Sequence, residues 1–233
     1  MTNASLSTIS SPSLSSPAPR AALAVPPRVR AYDAGGWFYD LVVGSRLYHQ
    51  LVWGMPPREH VAFARRALAA ASPGPILDAG CGSLLFTAAC YRETTRELTL
   101  LDASTTMLTR AARRLGPASR TVRLTQGDLR AIDLEPATFA ATFHFGVLHC
   151  LDQPDRVLGE LHRVTRPGGQ LFLSCLTLGR PRGDAFLRRL ARAGHVAPPR
   201  DHQTILATIA AAGFSLQQHR QQGSFLFVEA LRP

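Results

Sequence analysis

Short apolar runs alternate with helical patterns between residues 75 and 178, and this alternation constrains the fold more than any other feature. Five runs have the length and composition of strands: PILDAG, ELTLLDA, VRLTQGD, TFAATFHFG and GQLFLSCL. Helices are predicted over residues 86–92, over TTMLTRAARRLG, and from an N-cap at Asp152 to an end at Gly168 and Gly169. Strands and helices that alternate at this spacing build βαβ units, so the sequence predicts an α/β fold around a mostly parallel sheet.

The C-terminal part of the chain adds two helices and two more strands to this pattern. Helical patterns around DAFLRRLARAG and QTILATIAAAG precede the strand-like runs SLQQHR and GSFLFVEALR. Gln221, Gln222 and Gly223 separate the two runs, and so short a connection predicts an antiparallel hairpin at the end of the sheet.

Composition excludes several classes of protein. Hydrophobic residues make up 45% of the chain, but no apolar run reaches the ~18 residues of a membrane span. The net charge is +10, and because the arginines that carry it are dispersed, the charge does not favour a nucleic-acid partner.

The four cysteines form no CxxC pair and no metal-ligand spacing, so we expect reduced thiols, a cytoplasmic location and no metal. Residues 1–30 are rich in Ser, Pro and Ala, lack a secretory apolar core, and are predicted to be a disordered tail.

A glycine turn follows the first predicted strand, in the stretch ILDAGCGSLLFT. Gly80 and Gly82 allow a ligand to approach the backbone closely, and the following helix N-terminus favours anionic groups. Asp102 ends the second predicted strand, where a carboxylate can accept hydrogen bonds from ribose hydroxyls. These features suit NAD, FAD and S-adenosylmethionine equally.

Two further carboxylates narrow the choice of ligand. Asp78 lies immediately before the glycine turn, where it would repel a dinucleotide pyrophosphate but suits a ligand with a cationic amino group and a sulfonium. Asp128 ends the third predicted strand and can reach an adenine amino group, while Met107 on the second helix can pack on the ring. Plain helix-capping or turn roles for these acids remain the alternative.

In these motifs the sequence resembles the class I S-adenosylmethionine-dependent methyltransferases, and within them the ubiquinone/menaquinone-biosynthesis-like small-molecule group. The resemblance rests on ILDAGCGSLLFT, LTLLDASTTML, QGDL, FGVLHCLDQPDRVLGELHRVTRPGGQLFL and the upstream WFYDLV, in the family's order. It implies a Rossmann-like, seven-stranded, mostly parallel sheet with helices on both faces and a C-terminal antiparallel hairpin. The domain would span residues 31–233, with a helical cap over 31–72, a cofactor-binding core over 73–178 and a C-terminal part over 179–233.

The resemblance also implies a set of residues that bind S-adenosylmethionine. Gly80 and Gly82 would lie against the methionine portion, Asp78 would reach its amino group, and Asp102 would hold the ribose. The adenine would face Asp128 and Leu129, Phe145 and Gly146 would border the methyl-transfer site, and Tyr39 would cover the cofactor. Cys81, Ala103 and Met107 complete the expected cofactor-binding set.

The acceptor and the catalytic group are the least determined parts of the prediction. His149 is the candidate base, and helix packing is the alternative reading for it; His144 has a weaker claim. The third glycine of the turn is replaced by Leu84, which must keep the turn and could narrow the pocket. The expected activity is methyl transfer to a small molecule; an RNA or protein methyltransferase, or a non-catalytic protein with this fold, are the alternatives. The sequence does not indicate the acceptor or the oligomeric state.

Overall fold

The computed structural model describes residues 45–116 and 121–233, and its strands form one seven-stranded sheet. The strands are β1 (Ile76–Ala79), β2 (Leu98–Asp102), β3 (Val122–Gln126), β4 (Phe139–Phe145), β5 (Thr165–Leu176), β6 (Ser215–Gln222) and β7 (Phe225–Leu231). Their order across the sheet is β3-β2-β1-β4-β5-β7-β6. Strands β1 to β5 are parallel, whereas β7 runs antiparallel to both β5 and β6. The predicted sheet and its C-terminal hairpin are therefore confirmed.

Seven α-helices connect or precede these strands within the described residues. They are α1 (Arg46–Tyr48), α2 (Arg58–Ala70), α3 (Ala88–Glu93), α4 (Thr105–Leu115), α5 (Pro154–Val164), α6 (Pro181–Arg192) and α7 (His202–Ala211). A π-helical turn (His49–Trp53) continues α1, and a 3-10 turn (Leu148–Cys150) follows β4. None of these helices is long and apolar enough to cross a membrane.

The boundaries of α5 correct the sequence prediction. The residue that caps its N-terminus is Gln153 rather than Asp152, and the helix ends at Val164, before the glycine pair. Gly168 and Gly169 instead lie in β5, where the register against β4 shifts between Phe139 and Ala141. A Cβ on Gly169 would come within 3.0 Å of the Ala140 carbonyl oxygen, so the glycine permits a close backbone approach at this bulge.

The central strands of the sheet are buried on both faces, as expected for parallel strands between two helical layers, whereas the edge strands β3 and β6 are largely exposed. Ile76, Leu100, Phe143 and Phe172 pack with helices α2, α3, α4 and α6 on one face. On the other face, alternate residues of the same strands pack with α5 and α7. From β1 the chain adds β2 and β3 on one side of the sheet and then crosses to add β4 and β5 on the other side. The helices that follow β1 and β4 therefore diverge and leave a crevice at the carboxyl ends of these strands. Open α/β sheets bind ligands in the crevice at such a switch point.

Candidate active site

The glycine turn after β1 adopts the conformation that the sequence predicts. Gly80 and Gly82 have φ angles of 81° and 57°, which strongly favour glycine. The N–H groups of Gly80 and Cys81 donate to the Leu101 carbonyl at 2.7 and 3.1 Å and so fix the turn against β2. A Cβ on Gly80 would lie 2.9 Å from Val147, whereas one on Gly82 would meet nothing within 4 Å. The turn is therefore packed at Gly80 and open at Gly82.

Asp102 connects this turn to the start of α4. Its Oδ2 accepts from the Gly82 N–H at 2.8 Å, and its Oδ1 accepts from the Ser104 N–H at 2.9 Å. A carboxylate offers about four acceptor positions, so it can take ribose hydroxyls in addition to these two bonds. The side chain thereby both shapes the turn and presents acceptors beside it.

Asp78 is buried in β1, directly before the turn. Its Oδ2 accepts from the Tyr91 hydroxyl of α3 at 2.7 Å, and its Oδ1 has no hydrogen-bond partner among the described residues. Burial raises the pKa of Asp78 to about 7, the Tyr91 hydrogen bond opposes that rise, and the charge of Asp102 adds to it. A buried acceptor of this kind is costly to leave unsatisfied, and an ammonium group would both pair with it and favour its ionised form.

Leu84 has a left-handed backbone conformation, which glycine adopts more readily than other residues. Its φ angle is 57°, one of two positive values among the described non-glycine residues. The side chain is 2% exposed and belongs to the same core cluster as Ala88 and Tyr91. The larger residue is thus accommodated by burial in the core.

The predicted adenine-facing residues lie after β2 and β3. Met107 is buried on α4, and its N–H donates to the Ser104 hydroxyl that caps this helix. The Ala103 carbonyl accepts from Gln126 of β3 at 3.1 Å, which joins the two strand ends. Leu129 is buried, with its Cδ1 3.3 Å from the position of a Cβ on Gly80. The structure therefore places Leu129 against the glycine turn, and Ala103 and Met107 at the end of β2 and the start of α4.

Asp128 has a partner that the sequence did not predict. The Arg130 guanidinium donates to both carboxylate oxygens, through Nε at 3.0 and 3.1 Å and Nη2 at 2.6 Å. Burial disfavours the charged form of Asp128, but the hydrogen bonds from the Arg130 side chain and N–H outweigh it and lower the pKa. An adenine amino group would have to share this ionised carboxylate with the guanidinium.

The end of β4 forms the far side of the crevice. Gly146 has a φ angle of 71°, donates its N–H to the Ser174 carbonyl at 2.7 Å, and has open space where a Cβ would stand. The Phe145 ring beside it is partly exposed and packs edge-to-face on Phe63 of α2 at 5.5 Å. This geometry leaves room for a ligand at the backbone next to an aromatic wall.

His149 lies in the 3-10 turn after β4. Its Nδ1 accepts from the Leu176 N–H at 3.3 Å, so the proton of the neutral ring resides on Nε2. Burial, with a smaller contribution from His144, lowers the pKa of His149 to about 4. The ring lines a small pocket together with Cys175 and Leu187. His144 is buried in β4, and its Nδ1 lies 2.7 Å from the Ala79 carbonyl oxygen.

These features fit an S-adenosyl ligand. The open positions at Gly82 and Gly146 and the unpartnered Asp78 Oδ1 lie at the carboxyl edge of the sheet, beside the acceptors of Asp102. Tyr39, the remaining predicted cofactor residue, lies outside the described residues. Tyr91 and Arg130 are contacts that the sequence analysis missed, since neither follows from strand and helix patterning.

Comparison with known proteins is consistent with this geometry. Residues 77–173 match the family model described as a methyltransferase domain. The chain is 37% identical over 139 residues to a ubiquinone/menaquinone biosynthesis C-methyltransferase from Syntrophotalea carbinolica, covering 58% of this chain and 55% of that protein. It is 38% identical over 114 residues to a malonyl-(acyl-carrier protein) O-methyltransferase from Serratia marcescens, covering 48% and 42%.

Among solved structures, the cyclase SpnF superposes with a TM-score of 0.71 at 16% identity, covering 88% of this chain and 94% of that one. Such a likeness shows the fold alone. The chain spans about half the length of the curated relatives it matches. The matched segment covers less than half of the chain, and over it the motifs and the fold are similar to those of the class I S-adenosylmethionine-dependent methyltransferases.

Proposed function

We propose that the protein binds S-adenosylmethionine at the carboxyl edge of β1, β2 and β4 and transfers its methyl group to a small-molecule acceptor. The observation that carries the proposal is the buried Asp78 Oδ1, which lies immediately before the glycine turn and has no partner within residues 45–116 and 121–233. A ligand with an ammonium group satisfies this oxygen, whereas a pyrophosphate would be repelled by the carboxylate.

Each of the proposed binding residues would contact a different part of the cofactor. Asp78 would pair with the amino group, Asp102 with the ribose hydroxyls, and Met107 and Leu129 would enclose the adenine beside Asp128. Cys81 and Ala103 would contribute backbone at the turn and at the end of β2. The cofactor supplies an already activated methyl group on its sulfonium, so the protein needs chiefly to align an acceptor and exclude water.

The role of His149 as a general base remains a prediction, and its geometry favours a different role. Its Nδ1 is engaged by the Leu176 N–H, which leaves Nε2–H as the group it offers. A donor of this kind can orient an acceptor but cannot take its proton. The cytoplasmic location, the small-molecule class of acceptor and the coverage of the cofactor by Tyr39 are likewise proposals.

The proposal is tested by the formation of S-adenosylhomocysteine from S-adenosylmethionine with a panel of small-molecule acceptors. We expect Asp102→Ala to weaken cofactor binding by about a hundredfold, because it removes the ribose acceptors and the anchor of the Gly82 N–H. Asp133→Ala, which removes an exposed carboxylate after β3, is the matched control. Equal affinities for the two variants would refute the proposed cofactor site.

The same experiment separates the alternative functions. Turnover only with RNA or protein acceptors would replace the small-molecule proposal. Cofactor binding without turnover of any acceptor class would instead indicate a non-catalytic protein that retains the fold.

A further inference from the structure

An ion pair occupies the turn that follows β3, at the proposed adenine end of the cofactor site. The turn is tight, and the Ala131 N–H donates to the Asp128 carbonyl at 3.0 Å. Within the turn the Arg130 N–H donates to Asp128 Oδ1 at 2.8 Å, and the guanidinium folds back onto both carboxylate oxygens. The N–H, Nε and Nη2 of one residue therefore engage a carboxylate that offers about four acceptor positions. The two charged side chains are called here the Asp128–Arg130 pair.

Contacts on either side of the pair fix its place in the crevice. The Gly127 N–H donates to the Asp102 carbonyl at 3.1 Å, which ties the end of β3 to the end of β2. Leu129, between the two charged residues, is buried, and its Cδ1 lies 3.3 Å from the position of a Cβ on Gly80. The pair thus belongs to a turn that packs against the glycine turn and follows the residue bonded to Asp102, the carboxylate proposed for the ribose.

The donors that Asp128 receives differ in charge from those that Asp102 receives. Asp102 accepts from the N–H groups of Gly82 and Ser104, which carry no net charge. Asp128 instead faces a guanidinium, whose Nη2 lies 2.6 Å from Oδ2. Charge-assisted contacts of this geometry hold a carboxylate more firmly than neutral donors do. A ligand that needs the Asp128 carboxylate therefore has to compete for it.

Both members of the pair keep their charge near neutral pH. Burial raises the pKa of Asp128, but the hydrogen bonds from Arg130 outweigh burial and hold that pKa below its usual value. The hydrogen bond to Asp128 raises the pKa of Arg130 in turn. Arg156 at the start of α5 donates from Nε to the Arg130 carbonyl at 2.8 Å, and its charge also favours ionised Asp128. The side chains of Arg130 and Asp128 are 24% and 22% exposed, so part of each stays accessible to a ligand in the crevice.

A carboxylate and a guanidinium favour different purines. Adenine carries at C6 an amino group, which donates, whereas hypoxanthine carries there a carbonyl oxygen, which accepts. A carboxylate accepts from the amino group and repels the carbonyl oxygen, and a guanidinium does the reverse. A site that presents both groups at one place therefore discriminates weakly between the two bases.

We propose that Arg130 is a specificity-determining residue at the nucleobase end of the cofactor site, where its guanidinium competes with the 6-amino group of adenine for the Asp128 carboxylate. The same guanidinium donates to the 6-oxo group of a deaminated, inosine-containing cofactor. This inference rests on the proposed methyltransferase function and on the proposed position of adenine beside Asp128. It makes the chain tolerant of a purine that an unpaired carboxylate would reject.

Titration calorimetry with two ligands that differ only in the purine tests the proposal. S-adenosylhomocysteine and S-inosylhomocysteine are titrated separately into the full chain at about pH 7.5, and the ratio of their affinities is the readout. We expect the wild type to prefer S-adenosylhomocysteine by less than about tenfold, because each ligand finds one favourable partner in the Asp128–Arg130 pair. A preference of about tenfold or more would overturn the assignment of Arg130.

Arg130→Met removes the guanidinium but keeps a long side chain. In this variant S-adenosylhomocysteine should bind about three- to fivefold more tightly, because its amino group no longer competes with a partly exposed cation. S-inosylhomocysteine should bind about tenfold more weakly, since its carbonyl oxygen loses a charged donor and faces a bare carboxylate. An effect on the fold would weaken both ligands, so opposite shifts identify a role in specificity. Arg123→Met, the same exchange at an exposed position of β3, is the control and should leave both affinities unchanged.

Salt provides a test on the wild type alone. Raising KCl from about 0.05 M to about 0.5 M screens a partly exposed ion pair, so the preference for S-adenosylhomocysteine should rise about two- to threefold. The two ligands share their ribose and amino acid portions, and the ratio of affinities therefore removes salt effects at other contacts. This measurement needs no variant, so an Arg130→Met chain that fails to fold does not remove the test.

The outcomes separate this inference from the function on which it rests. Equal losses of both ligands in Arg130→Met, or a preference that neither the exchange nor salt changes, overturns the role of Arg130 while the proposed cofactor site stands. Failure of the wild-type chain to bind either ligand overturns the proposed function itself.

Discussion

The hydrogen bond between Tyr91 and Asp78 allows a sharp prediction about cofactor affinity. Tyr91→Phe removes only the hydroxyl that donates to Asp78 Oδ2 at 2.7 Å and leaves a ring in the same buried place. The carboxylate then loses its hydrogen bond from Tyr91 while remaining buried. We expect the variant to fold and to bind ligands with a cationic amino group less tightly.

The size of the effect follows from the contact. A hydrogen bond to a charged group contributes about 1.5–3 kcal/mol, which corresponds to a rise of about one to two units in the pKa of Asp78. Because burial already holds that pKa at about 7, the carboxyl group of the variant would be protonated at pH 7.5. The affinity for S-adenosylhomocysteine at pH 7.5 should therefore fall about three- to thirtyfold, in proportion to the ionised fraction of Asp78.

Titration calorimetry with two ligands isolates this effect. S-adenosylhomocysteine carries the amino group, whereas 5′-methylthioadenosine carries the adenine and ribose but lacks the amino acid portion. Tyr91→Phe should lower affinity for the first ligand and leave the second unchanged, and Tyr48→Phe is the matched control. An equal loss for both ligands would show that Tyr91 acts on the fold instead, and no loss for either would refute the role of Asp78.

Two further predictions concern the turn and the buried histidines. Leu84→Gly should lower the free energy of unfolding in urea by about 1–4 kcal/mol, since the loss of a buried side chain exceeds the relief of a left-handed backbone. Its affinity for S-adenosylhomocysteine should be similar or tighter, and a complete loss of binding would contradict the proposed turn. Acidification from pH 6.5 to 4 should destabilise the unliganded protein by about 2–5 kcal/mol, because the pKa values of His60, His144 and His149 are lowered to about 3–4 and the unfolded chain takes up protons first. The raised pKa of Asp78 acts in the opposite direction but is a single group, so a stability that rises on acidification would contradict the buried placement of the three rings.

The sheet was predictable because its signals are local. In the sequence, each core strand is a short apolar run followed by a turn residue, and the helices that connect the strands are amphipathic. The carboxylates Asp78 and Asp102 were predictable for the same reason, since both stand at strand ends whose positions fix the crevice. The number of strands, seven, followed from the family resemblance, whereas the order of the strands across the sheet was not predicted.

Other features depend on contacts between residues that are distant in sequence. Gly168 and Gly169 read as the end of a helix, but their close approach to Ala140 places them in a strand bulge. The Tyr91 hydroxyl reaches Asp78 from the following helix, and His60 meets Phe225 across most of the chain length. Such pairings leave no periodic signal in the sequence.

The most direct test of the account is a calorimetric titration of the wild-type chain with S-adenosylmethionine and, separately, with NAD. The carboxylates Asp78 and Asp102 beside an open glycine turn predict saturable, one-to-one binding of S-adenosylmethionine and no detectable binding of NAD. Binding of NAD with no binding of S-adenosylmethionine would contradict the central claim.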